Sequence, residues 1–275
     1  MAGNPNAPAT AKAFVPLENN PEVMSHLIHQ LGVSPALGFT DIYSIDDPDI
    51  IAFVPRPSHA ILLVFPVTKA YEAARIAEDT GRPVYEGCGP NEPVTWFKQT
   101  IRNACGLIGL LHAVSNGAVK AHITPGSDLD QLLRDAEPLK PVERADLLYA
   151  SKALESAHAE AAKKGDTAAP AADEKIDLHF VCFVKGNDGH LWELDGRRTG
   201  PLDRGPLDKE EDVLSEKSLQ LGVRQLLKKE AEAGGDGPPP LYLHLGLGTR
   251  GVINPPEFEN RKANTDTSSR ESTCP

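Results

Sequence analysis

From Ala60 to Val67 the chain reads AILLVFPV, an apolar run unbroken by any charge. Continuous apolar character over so few residues predicts a strand covered on both faces, in the middle of a sheet. Thr68 follows and caps a predicted helix that stops at Gly81. A shorter apolar run, Ile51–Val54, predicts another strand. Further upstream, Asn20 precedes Pro21, with Leu27, Ile28 and Leu31 on one helical face. A capping residue followed by proline at the first helical position marks a helix start.

The second half of the chain has a different texture. DLHFVCFVKGNDGHLWELDG is the clearest hairpin pattern in the sequence, with Asn187-Asp188-Gly189 at its turn. Residues 210–232 predict a charged helix with Val213, Leu214, Leu219, Leu221 and Leu226 among its apolar positions, and Leu241–Leu247 predicts a last strand. The segment Ser151–Lys175 is rich in Ala and charge and carries no bulky apolar residue after Leu154. Its start is compatible with a helix running on from Pro141, and Gly165–Asp173 reads as exposed loop. A structureless stretch of this length inside a domain is either a lid or a linker. Strands and helices are interleaved, so the fold class is α/β or α+β with both faces of the sheet covered. Residues 1–13 and 250–275 are polar and aperiodic and are expected to be disordered tails around a folded unit at 14–249.

Composition narrows the setting. The chain has 275 residues, 40% of them hydrophobic, with a mean hydropathy of -0.31. No run reaches the ~20 apolar residues of a membrane span. The N-terminus lacks a basic start followed by an apolar stretch, and Cys274 is not placed as a prenylation site. A cytosolic or nuclear address is therefore expected, where Cys88, Cys105, Cys182 and Cys274 would be reduced thiols. The net charge of -11 argues against a nucleic-acid partner, whose phosphates require basic patches.

Candidate chemistry begins with a rejection. Gly246-Leu-Gly248-Thr-Arg-Gly251 matches a dinucleotide-binding glycine pattern, but that pattern must open a helix, and Val-Ile-Asn-Pro-Pro follows here. No spacing of His, Cys and Asp suggests a metal site. Cys105 is more promising. The residues after it, Leu107, Ile108, Leu110, Leu111 and Val114, predict a buried helix, with Asn103 as its N-cap. A thiol in the first turn faces free N–H groups and the positive end of the helix dipole, which favour an anion.

The hairpin supplies partners for that thiol. With a three-residue turn and Gly189 left-handed, Gly186 opposes His190 and Val181 opposes Asp195, so His179 and Asp195 become diagonal neighbours on one face. A two- or four-residue turn would put them on opposite faces. A Cys–His–Asp set divides the work of acyl transfer: the imidazole moves the proton and the carboxylate orients the imidazole. His112 reads as a core histidine, Cys182 as core packing and Cys88 as a loop thiol.

QTIRNACGLIGLLHA, DLHFVCFV and HLWELDGR, with PLENNPEV and VPRPSHAILLVFPVT, resemble the signature blocks of the ubiquitin carboxyl-terminal hydrolases, in order and with similar spacing from about Val15 to Leu247. The resemblance implies a papain-like α/β scaffold with a knotted backbone. It also implies Cys105 as nucleophile, His179 as general base and acid, Asp195 as the group that orients it, and Gln99 as an oxyanion-hole donor. Glu18 and Asp41 match acidic positions implied to contact ubiquitin, and 151–175 becomes a crossover loop over the site. The implied activity is hydrolysis after the C-terminal glycine of ubiquitin by a monomer that needs no cofactor. A ubiquitin-like modifier as the substrate, or a non-catalytic ubiquitin-binding module, are the alternative readings.

Overall fold

A computed structural model describes residues 12–168, 170–172, 174, 177–232 and 243–249. Its centre is a six-stranded sheet of β1 (Leu37–Asp41), β2 (Ser58–Pro66), β3 (Leu178–Lys185), β4 (His190–Leu194), β5 (Leu202–Pro206) and β6 (Leu243–Thr249). Every neighbouring pair is antiparallel, in the order β1-β6-β2-β3-β4-β5. The apolar run became β2, and its two faces explain its composition. Ala60, Leu62 and Val64 join one core with α1 (Pro21–Leu31), α4 (Cys105–Val114), α5 (Asp128–Ala136), α6 (Pro141–Ala150) and α7 (Lys152–Ala161). Ile61, Leu63 and Phe65 join a second core with α3 (Lys69–Asp79), α8 (Glu216–Leu221) and α9 (Val223–Glu232).

The capping signals at two helices act as expected. Asn20 Oδ1 accepts from the N–H groups of Glu22 and Val23 to start α1, and Thr68 Oγ1 accepts from Tyr71 N–H to start α3. The hairpin register is the expected one too. Lys185 opposes Leu191 and Cys182 opposes Leu194, Gly189 has a φ of +81°, and Gly186 N–H bonds to His190 O.

Other expectations are corrected. Ile51–Val54 is not a strand: Asp47 accepts from Asp49 and Ile50 N–H and Pro48 opens the short helix α2 (Pro48–Ile51). An aspartate–proline start outweighs a short apolar run. The helix allowed at the start of the Ala-rich segment is present but does not run on from α6: Ser151 ends α6 and caps α7, and Leu154, His158 and Ala161 bury against α1 and its neighbours. The charged helix begins later than expected and is split at Gly222, where a side chain would strike Phe183 and Leu191. Lys12 and Ala13 are held rather than loose: Ala13 pairs with Arg102 and Lys12 Nζ bonds to Tyr149 O at 2.8 Å. Residues 1–11 and 250–275, Cys274 included, lie outside the described residues.

The rejected glycine motif is explained by packing. Gly246 and Gly248 lie within β6, and a Cβ on Gly248 would sit 2.9 Å from Pro55 O. No described helix is long and apolar enough to cross a membrane.

Two buried histidines give the fold a pH dependence. His112 Nε2 accepts from Phe97 N–H at 3.0 Å inside α4, and His158 Nε2 donates to Val15 O at 2.7 Å. Burial pushes both imidazoles down to about 4. Unfolded histidine titrates near ~6.5, so the unfolded chain binds these protons first as pH falls. The stability that these two rings contribute is therefore complete above ~6.5 and is lost progressively towards pH 4, by roughly 3 kcal/mol per ring. Urea midpoints at pH 7 and pH 4.5 check this. Equal midpoints would mean that the rings are solvated.

Candidate active site

The site is assembled where the start of α4 meets the ends of β3 and β4. Cys105 is the first residue of α4, half-buried, with its Sγ 4.0 Å from Leu178 O. Asn103 is not the N-cap. Its φ is +58°, Ala104 precedes the helix without a side-chain cap, and Asn103 Nδ2 instead reaches Ala172 O at 2.9 Å and Glu174 O at 3.2 Å. The free N–H groups at the start of α4 are thus left facing the thiol's surroundings rather than a capping side chain. Gly106 lets the helix lie against Leu17 and Phe180, since a Cβ there would already touch both. Pro16, Leu17, Asn19, Val64, Asn103, Leu178 and Phe180 line the pocket that opens beside Cys105.

His179 stands near the start of β3 opposite Phe65, and Asp195 directly follows β4. Both are buried. His179 Nε2 lies 2.8 Å from Asp195 Oδ1, leaving Nδ1 as the ring nitrogen for the thiol. Burial works against an imidazolium here, but the Asp195 charge and hydrogen bond outweigh it. With a smaller contribution from Cys105, they raise the His179 pKa to about 9. Asp195 is held far below the usual carboxylate range. Burial opposes this, and the charge and hydrogen bond of His179, the Arg197 N–H and the Tyr71 hydroxyl overcome it.

Gln99 is anchored twice. Its N–H bonds to Gly196 O at 2.8 Å, and its side-chain Nε2 donates to Ile101 O at 3.3 Å. The second amide hydrogen is left for another acceptor. Gly196 has to be glycine, because a Cβ would come within 2.8 Å of Ile108 Cγ2 and 3.0 Å of Gln99 Cβ. His112 is the core histidine expected, and its bond to Phe97 braces the segment that carries Gln99. Cys182 is fully buried, and burial pushes its thiol well up; Cys88 is exposed.

The two acidic positions have different surroundings. The Glu18 carboxylate accepts from Asn20 Nδ2, Asp166 N–H, Thr167 N–H and Thr167 Oγ1, at 2.6 Å for the last. Those bonds, led by the Thr167 hydroxyl, lower its pKa. Asp41, at the end of β1, accepts only a long bond from the Tyr43 hydroxyl (3.3 Å) among those observed, and Tyr43 itself is largely exposed. Among the described residues no cluster of His, Cys, Asp and Glu is arranged to hold a metal ion.

Sequence reasoning missed Tyr71, whose hydroxyl donates to Asp195 Oδ2 at 2.7 Å. It also missed Asn103 as a loop contact. A half-buried polar residue two positions before Cys105 gives no sign of a partner so distant in the chain. Tyr71 gives no such sign either, since its partner stands on another element 124 residues away.

Comparison with known proteins gives the family and the fold. The sequence model of "Ubiquitin carboxyl-terminal hydrolase, family 1" matches residues 14–228. Ubiquitin carboxyl-terminal hydrolase 3 of Arabidopsis thaliana is 38% identical over 198 residues, 72% of this chain and 81% of that protein. Ubiquitin carboxyl-terminal hydrolase YUH1 of Saccharomyces cerevisiae is 33% identical over 242 residues, 86% of this chain and 96% of that protein. The crystal structure of the Trichinella spiralis UCH37 catalytic domain bound to ubiquitin vinyl methyl ester superposes with a TM-score of 0.63 at 19% identity. It covers 86% of this chain and 96% of that one, and shows the shared fold. The chain belongs to family 1 of the ubiquitin carboxyl-terminal hydrolases.

Proposed function

We propose that this protein is a thiol hydrolase that cleaves the bond after the C-terminal glycine of ubiquitin. The observation that carries the reading is the buried His179–Asp195 pair set against Cys105 at the start of α4. His179 takes the thiol proton and the thiolate attacks the glycine carbonyl. The oxyanion receives the Cys105 backbone N–H and the free Gln99 amide hydrogen. Collapse expels the leaving group, protonated by His179, and leaves a thioester. Water, deprotonated by the same imidazole, then releases ubiquitin and restores the thiol. No step calls for a cofactor. Glu18 and Asp41 contact ubiquitin on an acidic protein that acts as a monomer in the cytosol or nucleus. A panel of fluorogenic conjugates of ubiquitin and ubiquitin-like modifiers tests the substrate. Turnover of ubiquitin conjugates supports the reading, and turnover only of another modifier overturns it.

The segment after α7 limits what can be released. It joins the half of the chain with Cys105 to the half with His179, and it is pinned at two points. Glu18 holds Asp166 and Thr167, and Asn103, two residues before the nucleophile, holds Ala172 and Glu174. A strap tethered this close to the thiol passes a small adduct or unfolded extension and obstructs a folded domain. Inserting Gly/Ser residues after Thr167 enlarges the opening while costing only ~0.6 kcal/mol per doubling of loop length. The rate on a ubiquitin–folded-domain conjugate, relative to that on a small fluorogenic adduct, is expected to rise several-fold. An unchanged ratio would make the segment a passive connector.

A further inference from the structure

Asp195 is held by more than its histidine. Oδ1 accepts from His179 and, at 2.8 Å, from the Arg197 backbone N–H, while Oδ2 accepts from the Tyr71 hydroxyl at 2.7 Å. Trp96 Nε1 donates to the Asp195 backbone carbonyl at 3.2 Å. Asp195 is inaccessible to solvent and Tyr71 is 3% exposed, so water does not substitute for any of these donors. A carboxylate offers no hydrogen, so the phenol is the donor in the Tyr71 pair. Its position is fixed from both ends. Thr68 caps the first turn of α3 through Tyr71 N–H, and the ring packs edge-on against Phe65, 4.7 Å between centroids.

We infer that Tyr71 is a positioning residue for the proton transfer, acting through Asp195: its hydroxyl fixes the carboxylate's rotation so that Oδ1 faces His179, and it limits how strongly Asp195 draws the imidazole's proton. This rests on the catalytic reading proposed above. The first effect follows from geometry. A carboxylate anchored at one oxygen can turn about its side-chain bond, and one anchored at both cannot. The second follows from charge. A phenol that donates to Oδ2 takes up part of the negative charge that would otherwise stabilise the imidazolium. The charged or titratable groups facing the pair are Cys105 from α4, Tyr71 from α3, and beyond Asp195 the buried Glu193, Arg198 and His112. Of these, Tyr71 and His179 are the ones whose side chains hydrogen-bond the Asp195 carboxylate.

The test compares wild type, Tyr71→Phe and Asp195→Asn on a small fluorogenic ubiquitin adduct from pH 6 to 10. Phenylalanine fills the same space and removes only the hydroxyl. Losing a hydrogen bond of ~1 kcal/mol should lower kcat about fivefold with KM unchanged. The basic limb should move to higher pH, because the carboxylate left without its second donor holds the imidazolium proton more tightly. A drop in kcat with an unmoved limb, or a wild-type profile alongside a crippled Asp195→Asn, overturns the inference and leaves the catalytic reading standing. A wild-type profile for Asp195→Asn overturns both. Should Tyr71→Phe not fold, replacing the chain's five tyrosines with the more acidic 3-fluorotyrosine gives the opposite shift, a basic limb at lower pH, and an unmoved limb again refutes it.

Discussion

Replacing Cys105 with alanine will abolish turnover while ubiquitin affinity stays within about an order of magnitude of wild type. Members of a nucleophile–base set act as a unit, so removing the nucleophile costs several orders of magnitude, with little left to the remaining residues. The substitution deletes one sulfur from a half-buried position that opens on a pocket, and alanine suits the first turn of α4. The fold should therefore be unaffected, and binding reports the surface rather than the chemistry. The other described thiols cannot take over. Cys182 is sealed within the larger core and burial holds it protonated, while Cys88 lies in a loop with no histidine bonded to it. Fluorogenic hydrolysis and a ubiquitin titration of the same preparation give both numbers. Near-wild-type hydrolysis by the variant would place the chemistry elsewhere.

Asp195→Asn should be the second-largest loss. The amide keeps the size of the carboxylate and can still meet the Arg197 N–H, and the Tyr71 hydroxyl can rotate to accept from it, so the fold survives. What disappears is the charge that holds the His179 pKa at about 9. If the amide nitrogen faces the ring, the tautomer is wrong as well. In a serine triad the equivalent change costs ~10⁴ in kcat; a thiol is the better nucleophile, and a loss of ~10² to 10⁴ is expected here. The basic limb of the kcat profile should also fall towards the ordinary histidine range, because the imidazolium loses its partner. The neighbouring carboxylate provides the contrast. Glu193 is equally buried, but Arg204 binds its Oε2 at 2.6 and 2.9 Å and Arg198 approaches its Oε1. Glu193→Gln should lower stability and leave the pH profile alone. The reverse pattern would show that the hairpin register has been misread.

That register is the most instructive part of what the sequence disclosed. Asn187-Asp188-Gly189 demands a left-handed third residue, the structure supplies it at Gly189, and parity then carries His179 and Asp195 to one face. Turn chemistry and strand period are local, so they can be read from neighbouring residues. The same holds for the caps at Asn20 and Thr68 and for the two-sided burial of β2. Where the sequence misled, the deciding contact was distant. Asn103 resembles an N-cap until the segment after α7 takes its side chain, and nothing around Glu18 in the sequence shows that its carboxylate also holds Asp166 and Thr167. Helix α7 carries Leu154 as its one bulky apolar side chain, and only the proximity of α1 shows that small residues complete its packing. Two of the three donors to the Asp195 carboxylate, His179 and the Arg197 N–H, sit close to it in sequence or across the hairpin, and both are recoverable by register. Tyr71 comes from another element and required the fold.

Cys105 as a nucleophile presented to the C-terminus of ubiquitin can be trapped by incubating the protein with ubiquitin that carries an electrophile in place of its C-terminal carboxylate, followed by intact-mass and peptide mapping. A single adduct on Cys105 is expected, lost in Cys105→Ala and retained in Cys88→Ala. No adduct, or an adduct mapped to Cys88, would contradict it.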